Sequence, residues 1–156
     1  CTYSGDHISM YHINAGVPKT LVRFLVKEFA QYEFYNNFAY VLMDIVETPI
    51  SPELIPSDGL ELTQKTEDLI GDYQLRDFFM YFYIRYGYPP NKLYHCAVQT
   101  FENDFDSLYI RDKLEVFMSR FFANQFKRNN STEGPKIGTV SLSPRGDWRM
   151  PSDINR

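Results

Sequence analysis

Apolar residues recur at intervals of three and four along most of this 156-residue chain. This spacing places them on one face of an α-helix, and it predicts helices over about 18–32, 38–46, 73–86, 91–102 and 107–128. In the stretch 73–86 apolar side chains surround nearly the whole helix, which predicts a central, buried position. We therefore expect a mainly α-helical fold.

Residues of suitable type mark the ends of these helices. Pro18 suits the first turn of the first helix, where its missing N–H removes no hydrogen bond. Asp72 and either Asp106 or Ser107 are suitable N-caps, and Gly87 suits a helix end because glycine tolerates left-handed backbone. The predicted boundaries thus agree with the apolar pattern.

Three segments lack helical periodicity. Residues 1–17 are predicted to be a loop, and residues 48–71, which are rich in proline and charge, a long loop. Residues 129–156 are predicted to be a long, irregular tail with one short strand at 139–142. Loops of this length within a compact domain are usually functional or disordered.

The composition is that of a folded domain, with 44% hydrophobic and 17% aromatic residues. A chain of this length fits one domain with a real core. The aromatic excess also predicts apolar surface that a partner, or a further piece of the same polypeptide, covers. The two cysteines, Cys1 and Cys96, do not make a disulfide framework, and neither a signal peptide nor a membrane-spanning run is visible. These features predict a cytoplasmic protein.

The charge is unevenly distributed. The formal net charge is −4, yet residues 127–156 hold six Lys or Arg and three Asp or Glu, which leaves −7 for residues 1–126. A basic tail on an aromatic-rich chain is compatible with nucleic-acid binding. We disfavour that function, because the basic excess is modest, the remainder is acidic, and the aromatics lie mainly on helical stripes typical of a core.

Few residues offer a catalytic pattern by themselves. His7, His12 and His95 lack metal-ligand spacing, so structural or surface roles are favoured over a metal site. The Arg-Gly-Asp tripeptide at 145–147 is the kind of short match that arises by chance. Lys19 stands at a helix start, where a cation opposes the helix dipole, and it is either an ordinary exposed lysine or a ligand contact.

The most specific pattern in the sequence lies in the tail. Phe126-Lys127-Arg128 is followed at 134–153 by G-P-K-[VI]-x-x-x-x-L-S-P-R-G-D-W-R-x-P-S-D. Further segments match in order: C-T-Y-x-G-D-H-x-S-x-Y at 1–11, N-A-G-V-P-K-T-L at 14–21, T-P-I-S-P-E-L at 48–54 and Q-K-T-E-D-L-I-G at 64–71. The shorter segments D-F, R-Y-G and P-P-[NS]-K follow, through Lys92. With these motifs the chain resembles the C-terminal part of bacterial glutamine-dependent NAD synthetases, and the resemblance covers essentially its whole length.

The resemblance implies that the complete enzyme converts deamido-NAD to NAD. The substrate carboxylate is first adenylated by ATP with loss of pyrophosphate, and ammonia from a glutaminase domain then displaces AMP. The implied fold is an α/β synthetase domain of the ATP-pyrophosphatase type (adenine nucleotide α hydrolase-like), which works with Mg²⁺ as a homo-oligomer. This chain would be the helical C-terminal portion of that domain, with a long irregular tail.

Two parts of the family pattern are missing from the sequence. The ATP-binding S-G-G-x-D-S loop is absent, and so is the glutaminase with its catalytic cysteine. We therefore expect that ATP and Mg²⁺ are largely bound by an upstream part of a longer polypeptide and that this piece is inactive alone. A non-catalytic helical binding or assembly module derived from the same family stays open as the alternative.

The resemblance implies a role for each matched residue at the dinucleotide. Cys1, Thr2 and Tyr3 lie in the segment that lines the deamido-NAD site, and Asp6 is expected to contact the same ligand. Lys127 is also expected to bind deamido-NAD. These five positions are the predicted dinucleotide contacts.

On the ATP side, Lys19 is implied to reach the phosphates and the developing adenylate, and Thr48 to lie near ATP. Residues 48–71 would form a lid. Phe126 stands where shorter, ammonia-dependent relatives have a histidine, so that histidine's role is not transferred. Lys19 and Lys127 are therefore the candidate catalytic residues, and no residue is a candidate metal ligand.

The resemblance also gives a reason for the basic tail. Its expected partner is a dinucleotide with a pyrophosphate, around which irregular backbone and neighbouring subunits would wrap. For Arg145 and Arg149 two roles stay open: contact with this ligand, or attachment of the tail to the acidic body.

Overall fold

The computed structural model describes residues 10–32, 37–48 and 71–154. The regular structure in these ranges is helical, with an isolated parallel bridge between Tyr11 and Glu133. The helices are α1 (Lys19–Gln31), α2 (Ala39–Glu47), α3 (Tyr73–Tyr86), α4 (Pro90–Thr100), α5 (Ser107–Ala123) and α6 (Gln125–Asn129). The prediction of a mainly α-helical chain is confirmed.

The chain divides into two compact units. We call residues 18–74 the hairpin unit, and residues 1–17 together with 75–156 the bundle unit. The division arises because each unit buries residues of its own: Ala30 and Val46 in the hairpin unit, and the apolar faces of α3, α4 and α5 in the bundle unit.

The hairpin unit is built from α1 and α2, which pack against one another. Arg23, in the first half of α1, donates from Nη2 to the carbonyl oxygen of Val46 near the end of α2 (3.3 Å). The two helices therefore run antiparallel. Several large apolar side chains of both helices stay exposed, among them Phe24, Tyr40 and Ile45.

The bundle unit has an aromatic-rich core. Leu75 and Phe79 of α3 are fully buried, which confirms the predicted central position of that helix. The rest of the buried cluster comes from α4 and α5: Leu93, Ala97, Ile110, Leu114, Phe117, Met118 and Phe121. Aromatic rings contact one another within this cluster; the ring centroids of Phe79 and Phe117, for example, lie 5.6 Å apart. Burial of these side chains supplies most of the unit's hydrophobic stabilisation.

Three predicted helix ends are confirmed, and each is formed by a hydrogen bond to a residue close in sequence. The Asp72 carboxylate accepts from the Gln74 N–H (2.7 Å), and the Asp106 carboxylate accepts from the Leu108 N–H (2.9 Å), so Asp106 is the cap of α5. Gly87 ends α3 with a φ of 64° and donates its N–H to the Tyr83 carbonyl (3.1 Å).

The region 107–128 is not one continuous helix. Both the N–H and the side-chain amide of Asn124 donate to the Arg120 carbonyl (3.0 and 2.8 Å), which closes α5 before α6 begins. Phe126, the last member of the predicted apolar stripe, is consequently exposed.

The predicted short strand at 139–142 is wrong. The N–H of Ser141, which a ladder would need, donates instead to the Asp147 carboxylate (2.9 Å). Leu142 packs against the bundle core as part of an irregular segment. The tail is thus irregular, as predicted, but part of it joins the core.

Candidate functional site

Lys127 lies in the middle of α6 with its side chain exposed. Its Nζ lies 5.9 Å from the centroid of the Phe126 ring. In the described ranges no hydrogen bond or ion pair engages this ammonium. Lys127 is therefore a cation that can meet an anionic ligand without first breaking a hydrogen bond or an ion pair to a described residue.

The neighbouring cation has the opposite surroundings. Arg128 donates to the Gln125 side-chain oxygen from Nε (3.0 Å) and from Nη2 (2.8 Å), and Nη2 also donates to the Phe121 carbonyl. Its guanidinium lies 4.3 Å from the centroid of the Phe121 ring. Partial burial lowers the pKa of Arg128, because desolvation disfavours its charged form. Arg128 is thus part of the packed structure.

Gln125 is the centre of this polar network and is fully buried. Its side-chain oxygen also accepts from the Trp148 indole N–H (3.0 Å), and its amide nitrogen donates to the Asn129 side chain (2.9 Å) and to the Met150 carbonyl (3.4 Å). Because Trp148 and Met150 belong to the tail, the network attaches the tail to α6. The Trp148 ring also packs against Phe121, with centroids 5.0 Å apart.

Further cations of the tail have partners within the tail itself. Lys136 pairs with Asp147 (2.8 Å), and Arg145 pairs with Glu133 (3.0 Å). Arg149 donates from Nε to the Pro144 carbonyl (3.0 Å). The described partners of Arg145 and Arg149 thus lie in the tail and not in the acidic body, so these contacts do not attach the tail to the body as the second alternative expected. Much of the positive charge that was expected to bind a dinucleotide is therefore used in contacts within the tail.

The loop at residues 10–17 lies on the tail. Tyr11 forms the parallel bridge with Glu133, and the His12 N–H donates to the Glu133 carbonyl (2.8 Å). Within the loop, the N–H of Ala15 donates to the His12 carbonyl (3.3 Å) and that of Val17 to the Asn14 carbonyl (3.0 Å), so two turns follow one another. The structure thus joins the end of the predicted ligand loop to the segment that follows Lys127.

Two glycines stand where the backbones of the loop and the tail approach each other closely. A Cβ on Gly134 would overlap the His12 carbonyl oxygen, and a Cβ on Gly16 would lie 3.4 Å from the Ile137 backbone nitrogen. Gly134 therefore needs a residue without a side chain, or a shift of the chain opposite, whereas Gly16 has room for a methyl group but for little more. We call this contact of residues 10–17 with residues 131–137 the loop–tail junction.

In the hairpin unit, Lys19 and Thr48 lie at the same end because α1 and α2 run antiparallel. Lys19 is exposed at the first position of α1, with Nζ 5.5 Å from the centroid of the Tyr73 ring. Thr48 caps α2, and its hydroxyl donates to the Asp44 carbonyl (2.8 Å), which leaves its lone pairs available to a donor. Lys127 belongs to the other unit.

Several predicted site residues lie outside the described residues, namely Cys1, Thr2, Tyr3 and Asp6. Residues 49–70 of the predicted lid lie outside them too. Among the residues that are described, no group of three or more His, Cys, Asp or Glu is arranged to hold a metal ion. No helix in the same ranges is long and apolar enough to cross a membrane.

A groove of about 620 Å³ opens beside α4 and α5, lined in part by Tyr94, Met118 and Phe122. Of the predicted site residues that the structure describes, none lines this groove, and neither does any residue of 10–17 or 131–137. It is therefore separate from the loop–tail junction.

Comparison with known proteins identifies the relatives of the chain. No protein-family model matches it. The glutamine-dependent NAD(+) synthetase of Mycobacterium leprae is 39% identical over 170 residues, and those of Mycobacterium bovis and Mycobacterium tuberculosis are 36% identical over the same length. Each of these alignments covers 97% of this chain. The chain is a homologue of the glutamine-dependent NAD(+) synthetases.

The chain spans about a quarter (25%) of the length of these NAD(+) synthetases. The resemblance seen in the motifs is confirmed. Sequence reasoning missed three residues that hold the candidate site together: Gln125, Gly134 and Trp148. Gly134 and Trp148 fall inside the G-P-K…G-D-W-R pattern and could have been singled out there. Nothing local marks Gln125, because its burial depends on the tail.

Proposed function

We propose that the polypeptide containing this chain is an ATP-dependent ligase that amidates deamido-NAD to NAD through an acyl-adenylate, with ammonia derived from glutamine. The homology carries the proposal, since identity of 36–39% to glutamine-dependent NAD(+) synthetases extends over 97% of the chain. Because the chain spans about 25% of those relatives, it supplies only part of the site. We expect no ligation by the 156 residues alone.

The first step brings two anions together. A carboxylate oxygen of deamido-NAD bonds to the α-phosphorus of ATP while the bond from that phosphorus to pyrophosphate breaks. Preorganised cations stabilise the charge that builds up in such a step. Lys127, whose ammonium has no hydrogen bond or ion pair with a described residue, is proposed to hold deamido-NAD, and Lys19 to contact the ATP phosphates.

In the second step ammonia attacks the acyl carbon, loses a proton and displaces AMP. An acyl-adenylate also reacts with water, so the site has to exclude solvent while ammonia arrives. Residues 48–71 are proposed as the lid that does this. Thr48 and Lys19 lie at the same end of the hairpin unit, which supports the proposed place of Thr48 near ATP.

Mg²⁺ is not assigned to this chain. The described residues contain no carboxylate, histidine or cysteine cluster that fits a metal ion. No step proposed for these residues depends on one.

The test measures NAD formation from deamido-NAD and ATP by the complete protein, with ammonium chloride and with glutamine as nitrogen sources. We expect activity with both, and a loss of about 10²–10³ in ammonia-dependent rate in Lys127→Ala, by analogy with other preorganised charge contacts. Arg120→Ala is the matched control. It removes an exposed cation from the last turn of α5, and we expect it to stay within about twofold of the unchanged protein.

Two further variants test the role of Lys19 separately from that of Lys127. Deamido-NAD-dependent exchange of pyrophosphate into ATP reports the first step alone. Lys19→Ala should lower this exchange about 10²-fold, while Lys27→Ala, an exposed lysine on the same helix, should not. No NAD from either nitrogen source would overturn the proposed function, and normal rates in Lys127→Ala would remove Lys127 from the site.

A second candidate is a non-catalytic binding or assembly module. It is favoured by the exposed apolar side chains of α1 and α2, such as Phe24 (65% exposed) and Tyr40 (75%). A complete protein that lacks ligase activity but forms a stable complex through this surface would support it.

A further inference from the structure

The loop–tail junction is held from the tail side by contacts that continue from α6. The Ser131 N–H and hydroxyl both donate to the Arg128 carbonyl (3.2 and 2.7 Å). Arg145 donates to the Ser131 carbonyl (3.4 Å) and pairs with Glu133 (3.0 Å). The tail segment that receives the loop is therefore fixed directly after Lys127 and Arg128.

At Gly134 the junction has no room for a side chain. A Cβ there would overlap the carbonyl oxygen of His12 and would lie 3.2 Å from the His12 carbonyl carbon and from the Ala15 Cβ. The His12 carbonyl is backbone, and it also accepts from the Ala15 N–H inside a turn. No side-chain rotation can relieve the overlap, so the loop has to move away from the tail.

We infer that Gly134 is a positioning residue for deamido-NAD: it allows the tail after Lys127 to hold residues 10–17, which begin four positions after Asp6, the last residue of the N-terminal segment proposed to contact that ligand. The inference rests on the proposed function. The role that the inference gives to the tail does not depend on its charged side chains. It depends on backbone contact with residues 10–17 and on the lack of a Cβ at Gly134.

Hydrogen–deuterium exchange tests the structural half of the inference on the complete protein. In Gly134→Ala, amides of residues 10–17 should exchange at least about tenfold faster, because the His12 N–H loses its acceptor on Glu133. Gly146→Ala is the matched control in the same tail. Its added Cβ would meet its nearest neighbours at 3.6–3.8 Å, which is ordinary contact, and exchange of residues 10–17 should not change.

Steady-state kinetics test the functional half. Gly134→Ala should raise KM for deamido-NAD about tenfold, since small misplacements of a binding group have effects of this size or larger. KM for ATP and for ammonia should stay within about twofold, as should all parameters of Gly146→Ala. A merely destabilised enzyme would lower kcat or active concentration without this selective change.

A milder variant serves if Gly134→Ala does not fold. Gly16→Val places its Cβ 3.4 Å from the Ile137 nitrogen and 3.6 Å from the Ile137 oxygen at the other end of the junction, so its two γ-methyl groups would press on that backbone. It should show the same selective rise in KM, about two- to fivefold.

The outcomes separate this inference from the proposed function. No NAD formation by the unchanged protein overturns both. Normal NAD formation with unchanged KM for deamido-NAD in the glycine variants overturns this inference alone, as does unchanged exchange of residues 10–17.

Discussion

Gln125 and Lys127 are two positions apart on one short helix, and their surroundings decide their roles. Gln125 is fully buried with its side chain bonded to the tail, whereas Lys127 is exposed with no described hydrogen bond or ion pair to its ammonium. A buried polar group is costly unless its hydrogen bonds are satisfied. This condition makes Gln125 structural and leaves Lys127 available for a ligand.

Replacing Gln125 by leucine should lower the free energy of unfolding by about 3 kcal/mol, because the Trp148 N–H and the Arg128 guanidinium lose their acceptor. Gln125→Glu keeps the acceptor oxygens and should cost about 1–2 kcal/mol. Urea unfolding monitored by fluorescence measures both, since Trp148 is the only tryptophan of the chain.

Gln99→Leu is the control for this series. Gln99 is exposed on α4 of the same unit, and its replacement should change the free energy of unfolding by less than about 0.5 kcal/mol. Equal effects of the two leucine substitutions would contradict the role assigned to the buried network.

For single residues, the sequence predicted which side chains could bind a ligand better than it predicted what surrounds those side chains in the fold. The F-K-R motif identified Lys127 as a candidate cation, but it could not show that the adjacent Arg128 is held by Phe121 and Gln125. Those contacts depend on how α5, α6 and the tail meet. For the same reason no motif marked Gln125.

At the scale of secondary-structure elements, the helix ends that depend on contacts within one turn were predicted correctly. The caps Asp72 and Asp106 and the helix end at Gly87 each depend on bonds to residues two to four positions away. The break at Asn124 and the absence of a strand at 139–142 were missed. In the tail, the Ser141 N–H is taken by Asp147, a contact that pattern alone does not reveal.

The cap of α5 gives a direct test of this local logic. Asp106→Ala should cost about 1 kcal/mol, because the Leu108 N–H loses its acceptor, and Asp106→Asn should cost only a few tenths. The free energy of unfolding in urea is the measurement. Asp104→Ala, an exposed aspartate in the preceding turn, should have no comparable effect, and a cost as large as that of Asp106→Ala would contradict the capping role.

At the scale of the whole molecule, the uneven charge that the sequence shows does not translate into one basic surface. Lys136, Arg145 and Arg149 bond within the tail, so a large part of its positive charge is matched locally. Composition correctly predicted exposed apolar side chains, which α1 and α2 carry. It did not predict two compact units, because pattern and length do not show which helices share a core.

This charge matching predicts an acid dependence. The hydrogen bond from Lys136 holds the pKa of Asp147 below its ordinary value of 3.8. A depressed pKa in the folded state stabilises the fold above the ordinary value, and the contribution disappears as pH falls through the folded-state pKa. The urea midpoint of the unchanged chain should therefore fall more between about pH 7 and about pH 3 than that of Asp147→Asn.

The control for the acid dependence is Asp104→Asn, which should keep the pH response of the unchanged chain. If Asp147→Asn retained the full response, the Lys136–Asp147 pair would not be its source.

The loop–tail junction also constrains the order in which the chain can fold. His12 and Glu133 bond across 121 positions of sequence, and contacts of such high sequence separation form late because a long loop has to close first. During synthesis residues 10–17 leave the ribosome before residues 131–137 and have no partner until that segment follows. The helices can assemble before that moment, but the loop can be seated only afterwards. A chain truncated before residue 131 would therefore never bind the loop in this position, and it would also lose the packing of Leu142 and Trp148 on the helical core.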